Sequence, residues 1–114
     1  MNLLLKTTHI PLDEITEGVK ESWKIKYGEC YEIIIDGKVG YFRNVTKGDI
    51  VSGSLKRTYG KDVIDTAVKT LKLFWLGGDR DEFLNDHEYA RAACDKFLPL
   101  LENKLRKLLP NKKF

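Results

Sequence analysis

The sequence predicts an α+β fold in a single domain: an N-terminal helix, one β-hairpin and then three helices. Apolar residues recur at helical spacing from Leu12 to about Tyr27 and again through residues 61–76. Between these stretches, residues 29–43 alternate with period two around an Asp36-Gly37 pair. A chain of 114 residues with 42% hydrophobic and 32% charged side chains suits one globular core and argues against disorder.

Each element has local reasons. Residues 1–10 read as a lead-in, with Thr7 or Thr8 and then Pro11 marking entry to the first helix. That helix places Leu12, Ile15, Val19 and Trp23 on one face, Gly18 weakens it, and Gly28 is positioned to cap its C-terminus. In the next segment Tyr31, Ile33 and Ile35 share one face, opposite Cys30 and Ile34. Asp36-Gly37 then supplies the positive φ angles of a type I′ turn before the second strand, Lys38 to Arg43. Two strands alone are marginal in water, so helices or another chain must cover the hairpin. Thr46 and Asp49 have capping-box spacing for a helix running to about Thr58, with Ile50, Val51, Ser54 and Leu55 inward. Tyr59-Gly60 ends it.

Residues 61–76 carry a wide apolar stripe of Val63, Ile64, Ala67, Val68, Leu71, Phe74 and Trp75, and Gly77-Gly78 is expected to cap that helix with a left-handed residue. An acidic connector, Asp79 to Leu84, precedes a last helix opened by Asn85 and Glu88. That helix carries Tyr89, Ala93, Phe97, Leu101, Leu105 and Leu108, and Pro99 is expected to kink it.

Charge is unevenly placed. Residues 102–114 hold Lys104, Arg106, Lys107, Lys112 and Lys113 against Glu102, so the basic C-terminal tail accounts for the net charge of +3 and the body is nearly neutral. A nucleic-acid surface usually spreads its cations over a folded face, so this balance does not favour one. Cations at a helix end also complement its dipole without any partner. The two cysteines, Cys30 and Cys94, are too few for a disulfide framework and lack zinc-ligand spacing, which leads to the expectation of free thiols and no bound metal. Leu3-Leu4-Leu5 is too short for a signal sequence or a membrane span, so a cytoplasmic setting is expected.

Tested motifs fail on chemistry. Gly53 and Gly60-Lys61 are too far apart for a phosphate loop, and Asp62 stands where a hydroxyl is required. Asp79-Arg80-Asp81-Glu82 begins like a calcium loop, but Phe83 and Leu84 occupy ligand and glycine positions and Ala90 replaces the closing Glu. His87 and Cys94 share a helix face two turns apart, too far for direct proton transfer. His9 lies in the lead-in, away from these motifs. The helices at 46–58 and 61–76 could form a helix-turn-helix, yet the second offers Lys61, Lys69 and Lys72 against Asp62 and Asp65, and no Arg, Asn or Gln to read bases. No catalytic, cofactor-binding or metal-binding residues are assigned.

The run Tyr27-Gly28-Glu29-Cys30-Tyr31-Glu32-Ile33 with Ile35-Asp36-Gly37-Lys38-Val39-Gly40-Tyr41-Phe42-Arg43 resembles the helix-then-hairpin opening of small phage and prophage proteins. Phe74-Trp75-Leu76-Gly77-Gly78-Asp79, followed by an acidic connector and a final helix, resembles their Trp-Leu-Gly-Gly-Asp turn. After the second strand those proteins often read Arg-Lys-Pro, where this chain has Arg43-Asn44-Val45. The resemblance covers roughly residues 12–105 and implies a non-enzymatic tail-assembly chaperone whose partner is a tape-measure or other tail protein. Separately, the hairpin 29–43 leaves two open edges that Lys38 and Arg43 protect only in part, so self-association or capture of a partner, through a hairpin edge or the apolar helix faces after residue 46, is expected. A small regulatory nucleic-acid binder is the alternative. Salt dependence of DNA binding separates the two.

Overall fold

The computed structural model describes residues 9–109, so Thr7, Thr8, Leu3-Leu4-Leu5 and the final lysines lie outside the described residues. The architecture is mixed α and β, built on a four-stranded sheet in the order β1-β4-β3-β2. In chain order the elements are β1 (Ile10–Pro11), α1 (Glu17–Tyr27), β2 (Cys30–Ile35), β3 (Lys38–Arg43), α2 (Lys47–Ser52), α3 (Val63–Phe74), β4 (Trp75–Gly78), α4 (Arg80–Asn85) and α5 (His87–Leu108). Short 3-10 turns at Leu12–Glu14 and Ser54–Thr58 join them.

The hairpin forms as its sequence dictates. Ile35 pairs with Lys38 across Asp36 and Gly37, whose φ angles are +49° and +78°. It does not stand as an isolated two-stranded unit, because β4 pairs antiparallel with β3 and β1 pairs parallel with β4. Trp75 to Gly78 is therefore a strand and not the end of a helix. α3 stops at Phe74, and Trp75 turns extended at φ −67° and ψ 133°. All four β4 residues are buried, so a short, fully buried strand directly after an amphipathic helix has the same apolar look as another helical turn. Gly78 does take a positive φ, +124°, but as the last strand residue and not as a helix cap.

Two glycines let β4 sit at the centre of the sheet. A methyl on Gly77 would collide with the Ile10 carbonyl oxygen, and one on Gly78 with the Val39 carbonyl oxygen. Asp79 then locks the junction: its amide donates to the Val39 oxygen at 2.8 Å and its carboxylate accepts from the Val39 amide at 2.8 Å. A register shift between Tyr41 and Phe42 leaves Leu76 bulged, with Trp75 opposite Phe42 and Gly77 opposite Tyr41.

The sheet separates two apolar clusters. On one face Phe42, Trp75 and Ile33 pack with Leu71, Phe74, Phe83 and Phe97 from α3, α4 and α5. On the other, α1 lays Trp23 against Tyr41 and Leu76, with Val19, Ile15 and Ile10 alongside. Hence a strand, β1, precedes the first helix, and α1 covers the face that the later helices leave.

Other boundaries differ from the sequence reading. Leu12–Glu14 is a 3-10 turn, Ile15 is extended, and α1 begins only after Thr16, whose side chain accepts from the Val19 amide. Leu12 is consequently exposed. Gly28 caps α1 at φ +85°, as expected. The Thr46–Asp49 capping box is present in full, but α2 ends at Gly53 in the left-handed region, turning Val51 outward at 87% exposure. Four α-helices, not three, follow the hairpin among the described residues. The cap of α5 is Asp86 and not Asn85, because the Asp86 carboxylate accepts from the Glu88 and Tyr89 amides. Pro99 lies inside α5, on its exposed side. No described helix is long and apolar enough to cross a membrane.

Candidate functional site

A concave surface with a mostly apolar lining runs between α3 and α5, a groove of about 460 Å³. Small side chains form its floor: Ala67 and Thr70 from α3 and Cys94 from α5, all buried. The Thr70 hydroxyl donates to the Thr66 carbonyl at 2.7 Å, so that hydroxyl is satisfied within α3. Val63 and Leu98 rise on either side, 68% and 39% exposed. Asp62, Arg91 and Asp95 supply a charged rim. Small residues facing each other across two helices, flanked by larger apolar ones, make a slot of the shape into which a third helix lays its side-chain ridge.

Several of the residues tested for chemistry are engaged in holding the fold. Cys94 lines the groove while His87 is exposed beside Lys61 and Asp65 in a separate cleft, so they do not meet. His9 accepts a hydrogen bond at Nδ1 from the Trp75 indole at 2.9 Å and stacks on that ring. In the would-be phosphate loop, Gly60 donates its amide to Thr66 and Lys61 donates its amide to Asp65, leaving neither for an anion. In the acidic run Asp79 is tied to Val39, and Glu82 pairs with Lys38 at 3.6 Å. Among the described residues no cluster of His, Cys, Asp and Glu is arranged to hold a metal ion.

A second small cleft brings together Lys20, Trp23, Cys30, Glu32 and Tyr41. The Tyr41 hydroxyl donates to Glu32 at 2.6 Å, and the Lys20 ammonium lies 5.3 Å from the Tyr41 ring centre. Burial, then the Glu32 carboxylate, raises the Tyr41 pKa, and burial raises that of Cys30. Burial likewise pushes the Cys94 thiol up to about 11. Activated nucleophiles need the opposite shift, so these groups stay protonated near neutrality.

Two polar residues whose roles sequence reasoning did not find organise the hairpin's far end. Asn44, 1% exposed, donates from Nδ2 to the Tyr31 hydroxyl at 3.0 Å and the Leu100 carbonyl at 3.4 Å, and accepts from the Val45 amide at 2.6 Å. Arg43 grips Asp49 with two bonds of 2.8 and 3.1 Å and lies 4.9 Å above the Phe74 ring. Burial would raise the Asp49 pKa, but the Arg43 bonds and the Thr46 amide outweigh it and the net shift is downward.

The presumptive recognition helix of a helix-turn-helix is α3, and it buries Ala67, Thr70, Leu71 and Phe74 while its flank forms the groove with α5. Gly53 breaks the helix that would precede it. No protein-family model, curated protein or solved structure matches the chain. What fold and site define is a class by physical description: a mixed α/β protein carrying an apolar slot between two helices.

Proposed function

We propose that this chain is a non-enzymatic protein-interaction module of the bacterial cytoplasm, a tail-assembly chaperone of the kind its hairpin and Trp-Leu-Gly-Gly-Asp segment resemble. It holds an amphipathic helix of a tail protein, such as a tape-measure segment, in the α3–α5 groove. The observation that carries the reading is the groove itself: a small-residue floor with Val63 and Leu98 left exposed beside it. Isolated apolar residues at a surface are ordinary, but two flanking one apolar slot form a docking edge. The upward shifts of both thiols and of Tyr41 support a role without covalent chemistry.

Calorimetric titration with tape-measure and tail-tube polypeptides tests this. The unmodified chain is expected to bind one of them saturably, with little dependence on salt. The double variant Val63→Glu, Leu98→Glu should weaken binding at least tenfold, about 1.4 kcal/mol. Both positions are exposed enough that its melting temperature should hold. Binding unchanged in the variant would remove the groove from the account. No tail-protein binding, together with salt-steep binding to mixed DNA, would replace the assembly reading with the nucleic-acid one.

A further inference from the structure

Residues 62–70, on α3 and its cap, and residues 91–98 of α5 line the groove, which therefore runs for about two helical turns, roughly 12 Å. Its floor has little with which to pair a peptide backbone. Ala67 is apolar, the Thr70 hydroxyl is engaged by the Thr66 carbonyl, and the Cys94 thiol is a weak donor. An extended segment laid there would bury amides and carbonyls without partners, whereas a helix satisfies its own. The rim is charged, and unevenly so. Asp62 stands on the α3 wall and Asp95 on the α5 wall, with Arg91 one turn before Asp95, and all three are exposed. Among the described residues none of the three is in an ion pair. Each lysine beside these acids is engaged elsewhere. Lys61 lines the neighbouring cleft with His87, Lys69 pairs with Asp65 at 3.3 Å, and Lys96 donates to the Ile34 carbonyl at 3.2 Å. Asp62 caps α3 through one oxygen only, accepting from the Asp65 amide at 2.8 Å.

We infer that the groove takes a cationic amphipathic helix of a partner protein, with Lys or Arg on both flanks of its apolar ridge to meet Asp62 and Asp95. The inference rests on the groove reading proposed above and adds to it the charge of the occupant. Two turns of that helix, with bulky apolar side chains at i, i+3 or i+4 and i+7, fill the space over the small floor residues between Val63 and Leu98. A carboxylate on each wall suits a ridge with cations on both sides. An anionic helix, or an acyl chain with its carboxylate, would find Arg91 alone against two acids. Exposed ion pairs contribute little each, so the apolar ridge supplies most of the affinity. The rim charges decide which helix is accepted more than how tightly it is held.

Calorimetric titration with two helical peptides of about 18 residues tests the inference. Both carry the same leucine ridge, flanked by Lys in one and by Glu in the other. At low ionic strength the unmodified chain should bind the Lys-flanked peptide at least about tenfold more tightly. At about 0.5 M salt that preference should shrink to within about threefold while both peptides still bind. The double variant Asp62→Asn, Asp95→Lys should lose or reverse the preference. Asn keeps the cap of α3 and Asp95 is exposed, so the melting temperature should hold. Equal binding of the two peptides by the unmodified chain, or tighter binding of the Glu-flanked one, overturns the cationic occupant and leaves the groove reading standing. Binding of neither peptide, or binding that survives Val63→Glu with Leu98→Glu, overturns both. Light scattering on the same samples covers the remaining occupant. A mass that doubles from 13.2 kDa without peptide and returns to it when peptide is added would place a second copy in the groove and overturn the assignment.

Discussion

At Gly78 two separate requirements fall on one residue. Its φ of +124° lies where side chains are rarely accommodated, and the space a methyl would need belongs to the Val39 carbonyl. Gly37 meets only the first requirement, having φ +78° and open space around it. Gly78→Ala is therefore expected to cost roughly 2–4 kcal/mol and Gly37→Ala about 1 kcal/mol, measured by urea unfolding. Equal costs at the two sites would show that the close approach of β3 contributes nothing. Sequence reasoning found the positive φ near Gly77-Gly78 but assigned it to a helix end, since a Gly-Gly pair after an apolar stripe reads the same in both settings. Asn44 was not legible at all. A lone Asn after a strand has no periodic signature, and its burial follows from Tyr31 and Leu100, which come from two distant elements.

At the scale of elements, β1 is held by pairing to β4 and by the His9–Trp75 bond just before it. Since Nδ1 of His9 accepts from the indole, protonation of that nitrogen breaks the bond. Burial and the neighbouring Arg80 lower the His9 pKa below its ordinary 6.5, against smaller opposing effects of Asp81 and Glu14. The folded chain thus binds this proton less readily than the unfolded chain. Its contribution to stability is fully present above 6.5 and is lost as pH falls through that value toward the folded pKa. Melting temperature followed by tryptophan fluorescence should fall between about pH 7 and 5 for this reason. His9→Gln, which keeps an acceptor at every pH, should flatten that part of the profile. An unchanged slope in the variant would assign the effect elsewhere.

On the scale of the whole molecule, the sheet divides the two cysteines. Cys30 belongs to the cluster under α1 and Cys94 to the cluster under α3 and α5, and both thiols are free. Titration with a disulfide reagent at neutral pH should show one thiol, Cys30, reacting first, while Cys94 reacts at a rate near that of opening. Cys94→Ser should abolish the slow phase alone. A fast reaction at Cys94 would mean that the groove floor opens readily, and that it is not the preformed slot the binding proposal uses.

Local chemistry determined what depends on adjacent residues. Asp36-Gly37 specifies the hairpin, Thr46 with Asp49 specifies a cap, Gly28 ends α1, and the stripe from Ala67 to Phe74 specifies a buried helix face. Each of these is settled within a few residues by φ preference, capping geometry or periodicity. The tertiary structure alone decided that Trp75–Gly78 is the strand between β1 and β3, because strand pairing is paid for by backbone partners more than thirty positions away in sequence. It likewise decided which of several apolar stripes would be covered. Val63 was counted as core by its spacing, yet α5 packs low enough on α3 to leave it, with Leu98, at the lip of a groove. Periodicity states which side of a helix is apolar; how far its neighbours extend over that side is a property of the assembled layers.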